Sequence, residues 1–425
     1  MSAPARTVAA WPIATSSLSQ PKSTSSGPID HEKRQVTIVP QEGENLTGPL
    51  GDDAFVALPD IAHSIFDWEK FWITTVTRRH HTIQTMGYNA ASQKEVRPHR
   101  PTVYLDQNKW SELARAVLVP ERVRTSEEMY AAQEIVRFAS DDGVILPLSA
   151  AHLLETSGLS GDRRYEVGVT IASFSAGWQM RHPWKVFEQE AIEALARRLP
   201  DKYIDTGRPV VTTEPNAWMQ DTDTMGLGPR PEANTALFIS MLSAAGVMVQ
   251  ELIDPEAEQR ESIAVWVSIH ERITDQFKTL KLQKDQRRAL ARRRFWNENI
   301  GTYRQALSKV FGTIDFPTFS DKELKKLLRE GRMTALLSEL FATRFVDQST
   351  KWQSNDLVDM LYLSCAAAYC DYVVAETKTA THLQQIQRRL GMKINVFSNL
   401  QTLVEALHAD GLTTDTERSS RGETS

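Results

Sequence analysis

Two aspartates, Asp356 and Asp359, stand three residues apart at the head of the apolar run Leu357-Val358-Asp359-Met360-Leu361. In a helix that spacing puts both carboxylates on one face. Other acids follow segments of a different kind. Asp106 comes directly after Val103-Tyr104-Leu105, Glu376 directly after Tyr372-Val373-Val374-Ala375, and Glu155 lies a few residues beyond Val144-Ile145-Leu146. Carboxylates gathered around one cavity repel one another and favour a hard divalent cation, Mg²⁺ or Mn²⁺, which lowers the pKa of a bound water and stabilises charge on a phosphoryl oxygen. The chemistry to expect is hydrolysis of a phosphate ester with no protein nucleophile. Neither a Gly-rich phosphate loop of the Walker type nor a Gly-x-Ser-x-Gly elbow occurs, which argues against an NTPase or an esterase. Each acid also has an ordinary role open to it. Asp106 could cap the helix that follows, and Asp356 and Asp359 could serve a helix N-terminus, each for up to about 1 kcal/mol. Glu155 and Glu376 could be solvated charges, and Asp371 could simply start a strand. His152, close to Glu155, could carry a proton, although a satisfied structural histidine is the commoner case.

The elements that must position these acids alternate. Thr102 to Leu105, Val144 to Leu148, Tyr372 to Ala375 and Ile394 to Phe397 are apolar runs without polar alternation, the pattern of strands covered on both faces. Helices are expected at 110–118, 126–140, 149–155, 356–369, 380–390 and 400–407, with Gly391 as a C-cap. The fold class is therefore α/β, a three-layer domain with a central, mostly parallel sheet and a large α-helical insertion. In such sheets ligands bind beyond the carboxyl ends of the strands, where Asp106 and Glu376 fall. Pro147 is placed near the end of its strand, because it cannot donate to a ladder.

The order of these acids resembles the PIN-like nuclease domain. Val103-Tyr104-Leu105-Asp106-Gln107-Asn108 resembles its opening motif, with Asn108 as the polar residue two beyond the aspartate. Glu155 resembles its second acid. Asn355-Asp356-Leu357-Val358-Asp359 and Cys370-Asp371-Tyr372-Val373-Val374-Ala375-Glu376 resemble the third and fourth, with Glu376 where an aspartate is more usual. The resemblance covers about 101–160 and 354–408. It implies a divalent-metal-dependent nuclease, RNA preferred, with Asp106, Glu155, Asp356, Asp359 and Glu376 as catalytic residues. Of these, Asp106, Asp356, Asp359 and Glu376 would hold Mg²⁺ or Mn²⁺, and Glu155 would complete or orient the shell. A role as a toxin or defence effector belongs to the same implication. The alternatives are a catalytically silent scaffold for protein or RNA contacts, and a metal-dependent phosphatase acting on small phosphorylated molecules. The latter would show a narrow closed pocket without basic walls.

The rest of the chain bounds these readings. With 425 residues, 41% hydrophobic and 24% charged, the composition is that of an ordinary soluble globular protein. No apolar run approaches the roughly 20 residues needed to cross a bilayer, so the expectation is a cytoplasmic protein without a membrane partner, self-association into a homo-oligomer being left open. Cys365 and Cys370, the only cysteines, are read as buried thiols. A net charge of −5 offers no global attraction to nucleic acid, so a local cationic patch is required. The segment 278–294 supplies one, with eight Lys and Arg against Asp285. Lys281, Lys284, Arg288 and Arg292 align on one helix face and are the expected nucleic-acid contacts, the plainer reading being a solvated face. By composition, residues 1–55 form a disordered tail, 56–100 an amphipathic helical segment, 101–164 and 351–410 the two parts of the PIN-like domain, 165–350 a helical insertion, and 411–425 a disordered tail.

Overall fold

The computed structural model describes residues 24–33, 35–40, 44–49, 58–67, 72–87, 100–197, 208–219, 246–254, 263–280, 282–312, 319–347, 351–353 and 355–414. Expectations for 1–23, 220–245 and 415–425 lie outside them.

Alternation decides the first structure along the chain. β1 (Thr24–Asp30), β2 (Gln35–Pro40), β3 (Leu46–Pro49), β4 (Ile61–Asp67), β5 (Trp72–Thr77) and β6 (Thr82–Met86) form an antiparallel sheet in the order β3-β2-β1-β4-β5-β6. β5 and β6 bury every second residue, and a register shift between Ile61 and His63 resets the alternation in β4. This corrects two expectations. Residues 24–30, 35–40 and 46–49 are strands and not part of a disordered tail, and 61–67, 72–77 and 82–86 are strands and not an amphipathic helix. The apolar residues of 61–76 can be fitted to a helical period. The β-branched Thr74, Thr75, Thr77, Thr82 and Thr85 instead suit a half-buried sheet, whose ladder hydrogen bonds come from partners far along the chain. The inner face of this sheet joins the main core through Ile61 and Ile83, and the Thr77 and Tyr165 hydroxyls lie 2.7 Å apart.

The central layer is built from β7 (Val103–Leu105), β10 (Tyr372–Val374) and β11 (Val396–Phe397), parallel in the order β11-β10-β7. Beyond β7 it continues through residues 144–148 to β8 (Gln179–Met180), which pairs antiparallel with β9 (Val211–Thr212). The 144–148 segment was expected to be a full strand. It makes only two parallel bridges, Thr102 to Ile145 and Leu148 to Gln179, with Pro147, which has no N–H to give, between them. At the other end of the strands Asp371 accepts hydrogen bonds from Thr102 N and Oγ1, both at 2.8 Å, locking β7 to β10.

Side chains of the central strands alternate between two cores. Val103, Leu105, Tyr372 and Val374 face one, with Trp110 of α1 (Gln107–Leu118), Phe138 of α2 (Ser126–Ser140), Ile171 of α4 (Gly161–Ser175) and Leu403 of α12 (Leu400–Ala409). Tyr104 and Val373 face the other. There they meet Phe187 of α5 (Pro183–Ala196), Phe295 of α7 (Lys284–Phe311), Leu336 of α9 (Arg332–Val346), Cys365 of α10 (Asp356–Tyr369) and Leu383 of α11 (Thr377–Leu390). The helical middle of the chain is thus one of the layers covering the sheet. Glu190 binds this layer together: its carboxylate accepts from Met333 N, Thr334 N and Thr334 Oγ1 at the start of α9 and from Tyr369 Oη at the end of α10, all within 2.8 Å. α3 (Ala150–Ser157), α6 (Ile263–Thr279) and α8 (Asp321–Leu327) complete the named helices, and 246–253 is also helical. α6 and α7 are separate helices, the first ending at Thr279 and the second beginning at Lys284. Neither cysteine is in a disulfide, and Cys365 is buried and Cys370 partly so. Among the described residues, no helix is long and apolar enough to cross a membrane.

Candidate active site

Because β7 and β10 are parallel neighbours, the residues that follow them emerge at one edge of the sheet. Asp106 N donates to Val374 O at 2.9 Å, carrying the ladder to the last residue before α1. The Asp106 carboxylate accepts the Gln107 N–H at 2.9 Å, so the helix-capping role open to it in the sequence is one it fills. Burial raises its pKa above the ordinary carboxylate value. The Gln107 N–H opposes that rise, and the charge of Glu376 adds to it. Glu376 is exposed at the start of α11 and accepts a hydrogen bond from the Asn108 side-chain amide. Asn108 therefore orients one acid of the set.

Glu155 is placed through His152. The Ser149 N–H donates to His152 Nδ1 at 3.0 Å, so the ring proton resides on Nε2, which donates to Leu105 O at 2.8 Å. The ring is buried and stacks on Tyr104. Burial pushes its pKa down to about 4, leaving it neutral near pH 7. His152 is thus a structural link and not a proton carrier: it fastens the first turn of α3 to the end of β7, and Glu155 follows one turn later. The Glu155 carboxyl is pushed up to about 8, by burial first and then by the charges of Asp106, Asp359 and Glu376. Asp359, in the first turn of α10, is pushed up to about 7, again by burial first, then by Asp106, Glu376 and Asp356. Neither the Glu155 nor the Asp359 side chain has an ion pair with a described residue.

Asp356 stands differently. Its Oδ2 accepts from Arg344 Nη2 at 2.8 Å, Arg344 Nε at 3.3 Å and Gln353 N at 2.7 Å. The Arg344 guanidinium lies over Trp352, 4.6 Å from the ring centroid. The charge expected to bind metal is already compensated, and Asp356 joins the head of α10 to α9. The set coupled by mutual repulsion is Asp106, Glu155, Asp359 and Glu376. Among the described residues, no three His, Cys, Asp or Glu side chains are drawn together closely enough to hold a metal ion as they stand. A cation would have to draw these carboxylates in.

The C-terminal half of the run of cations on α7 is committed within the protein. Arg292 donates through Nε and Nη2 to Glu339 Oε1 at 2.9 and 2.7 Å, a pair in which Glu339 is buried. Arg293 pairs with Asp321 and Arg294 with Glu298. Arg288 is half-buried, Lys284 is exposed, and Lys281 lies outside the described residues. The alignment at steps of three and four is present along the helix for Lys284, Arg288 and Arg292, and of these Arg292 is the one tied to an acid of the fold. Phe295 and Trp296 are core residues.

Sequence reasoning missed a cleft of about 690 Å³ that opens beside the carboxylates, with Asn108 and Glu376 in its wall. Its other charged lining comes from Lys109 and Arg115 of α1, Arg124, Arg163, Lys378, Glu112 and Glu128. Lys109 pairs with Glu112 at 2.6 Å and Arg115 with Glu128 at 3.0 Å. Arg124, Arg163 and Lys378 are exposed, and none has an ion pair with a described residue. No run or spacing in the sequence marks these three, which lie far apart along it. Comparison with protein-family models, with curated proteins and with solved structures finds no significant match to this chain.

Proposed function

We propose that this chain is a divalent-metal-dependent nuclease of PIN-like type that hydrolyses phosphodiester bonds. The observation that carries the reading is positional. Asp106 and Glu376 leave adjacent parallel strands at one edge, and Glu155 and Asp359 approach the same point from α3 and α10. The donor set is all oxygen, the kind that suits Mg²⁺ or Mn²⁺ over softer metals. Burial, with no ion pair to Glu155 or Asp359 from a described residue, makes an added positive charge favourable there. Asp106, Glu155, Asp359 and Glu376 would hold the ion, which when bound supplies a Lewis acid for the phosphoryl oxygen and a water of lowered pKa.

The other residues position this set. His152 ties α3 to β7, Asn108 orients Glu376, and the Arg344–Asp356 pair fixes the head of α10 so that Asp359 points one turn further in. RNA as the preferred substrate, cytoplasmic location and a role as a toxin or defence effector come from the family resemblance and composition alone. An open cleft with basic residues in its wall fits a polymeric phosphodiester better than the small substrate of a phosphatase. A silent binding scaffold is the second reading, favoured by the absence, among the described residues, of a ready-gathered ligand set.

Titration of Mn²⁺ into the chelator-stripped protein by calorimetry at pH 7.5, in buffers of differing ionisation enthalpy, separates the two. Saturable binding with proton release is expected for wild type, because Glu155 is substantially protonated there, and greatly weakened binding for Asp106→Asn. A protein that takes up no Mn²⁺, or takes it up equally in folded Asp106→Asn, is the scaffold.

A further inference from the structure

The cleft beside the carboxylates contains more cationic groups than the fold uses, and they are not where the sequence concentrates charge. Five cations line it against three acids, on a chain whose net charge is −5. Two of the five are neutralised locally, Lys109 by Glu112 and Arg115 by Glu128. Arg124 precedes α2, Arg163 sits in the first turn of α4, and Lys378 in the first turn of α11. Three different parts of the chain thus deliver to one cavity three exposed cations that have no ion pair with a described residue. Exposed cations gathered around one concave surface, with Glu376 as the acid not already paired to them, give the cleft a local positive potential that attracts an anion.

The cleft also continues. Ala131 and Gln401 belong both to its wall and to a smaller groove of about 330 Å³ carrying Tyr130, a residue 52% exposed. Among the described residues, the charges lining that groove are Glu127 and Glu405, so it suits a base face and not a phosphate. A path with cations near the carboxylates and an aromatic face further out matches the alternation of phosphates and bases in an unpaired strand.

We infer that a single-stranded nucleic acid lies along this cleft, its phosphates on Arg124, Arg163 and Lys378 and a base on Tyr130, with the phosphodiester to be cut beside Glu376. The inference rests on the nuclease reading for the fate of the strand, but not for its binding. The chemistry required is a flexible polyanion carrying planar rings. A rigid duplex lacks the exposed base faces, and an acidic protein segment lacks a regular alternation of backbone charge and planar rings.

The test is fluorescence anisotropy of a labelled single-stranded oligonucleotide, RNA and DNA in parallel, with the full chain in chelator across a salt series. At about 0.7 in log–log slope per contact on a single strand, neutralising Arg124, Arg163 and Lys378 to Gln together should reduce the slope by about 2 and weaken binding about 100-fold at 0.1 M salt. Tyr130→Ala should weaken binding about fivefold or more with the slope unchanged, since stacking releases no counterions. The single reversal Arg124→Glu, a surface change of small structural consequence, should show the same direction. All variants must melt at the wild-type temperature. An unchanged salt slope in folded triple and single variants overturns the inference, as does a slope that collapses instead on Lys284→Gln with Arg288→Gln in α7. Preference for an acidic peptide over the oligonucleotide also overturns it. Strand binding through the cleft without cleavage when Mn²⁺ is restored leaves the inference standing and sinks the nuclease reading. Cleavage with an unaltered slope does the reverse.

Discussion

Replacing Glu155 by Gln should stabilise the metal-free protein at alkaline pH. The side chain keeps its volume and loses the charge that three other carboxylates oppose. The Glu155 carboxyl moves from an ordinary 4.5 to about 8 in the folded chain, chiefly through burial. At about 1.36 kcal/mol per pH unit, its ionised form costs the fold up to about 5 kcal/mol. The sign follows from proton counts. Between 4.5 and 8 the folded state holds a proton that the unfolded state has released, so stability falls as pH rises through that window. Below 4.5 the penalty is absent, and above 8 it is complete. Urea denaturation followed by tryptophan fluorescence, with chelator present, should show wild type losing several kcal/mol between pH 5 and pH 9. Glu155→Gln should lose markedly less, the remainder coming mainly from Asp359, which titrates near 7. Added Mn²⁺ should rescue wild type at pH 9 more than the variant. If the two proteins lose the same stability between pH 5 and pH 9, the carboxylates do not share one field and the site has been misread.

Other consequences can be checked in the same way. Arg344→Met leaves the half-buried Asp356 without its partner and should cost about 3–5 kcal/mol in denaturant, with Asp356→Asn restoring part of the loss in the double variant. His152→Ala should cost about 2–4 kcal/mol by removing the links to Leu105 and Ser149. It should also abolish the stability that wild type loses as pH falls from 6.5 toward 4, where the unfolded histidine gains a proton that the buried one refuses. It should leave the pH profile of any cleavage in place, and a displaced profile would restore the proton-carrier role. Deleting residues 1–57 strips β1 from β4, and should lower the melting temperature and expose a strand edge that promotes association, visible by size-exclusion chromatography.

What the sequence made legible follows from which forces act locally. α10 was readable over its full length, 356–369, because its apolar run, its acidic first turn and the break before Cys370 agree. β7 and β10 were readable because strands buried on both faces need no alternation. The acids at their ends then follow from parallel pairing. β4 to β6 were misread because the spacing of Ile65, Phe66, Trp72, Ile73 and Val76 admits a helix, and only cross-strand partners settle the matter. The role of Asp356 was hidden because Arg344 reaches it from a different helix. Arg292 and Arg293 looked free for the same reason, since Glu339 and Asp321 come from other segments to neutralise them. Arg124, Arg163 and Lys378 leave no trace in any window of sequence, because the fold alone assembles them.

The most direct measurement is cleavage of labelled single-stranded RNA by wild type and Asp106→Asn side by side, with Mn²⁺ and with chelator. Wild type should cleave only with the metal, and the variant, folded as judged by its melting curve and still able to bind the strand, should not cleave at all. Cleavage that persists in chelator, or that a folded Asp106→Asn protein performs at the wild-type rate, would contradict the account.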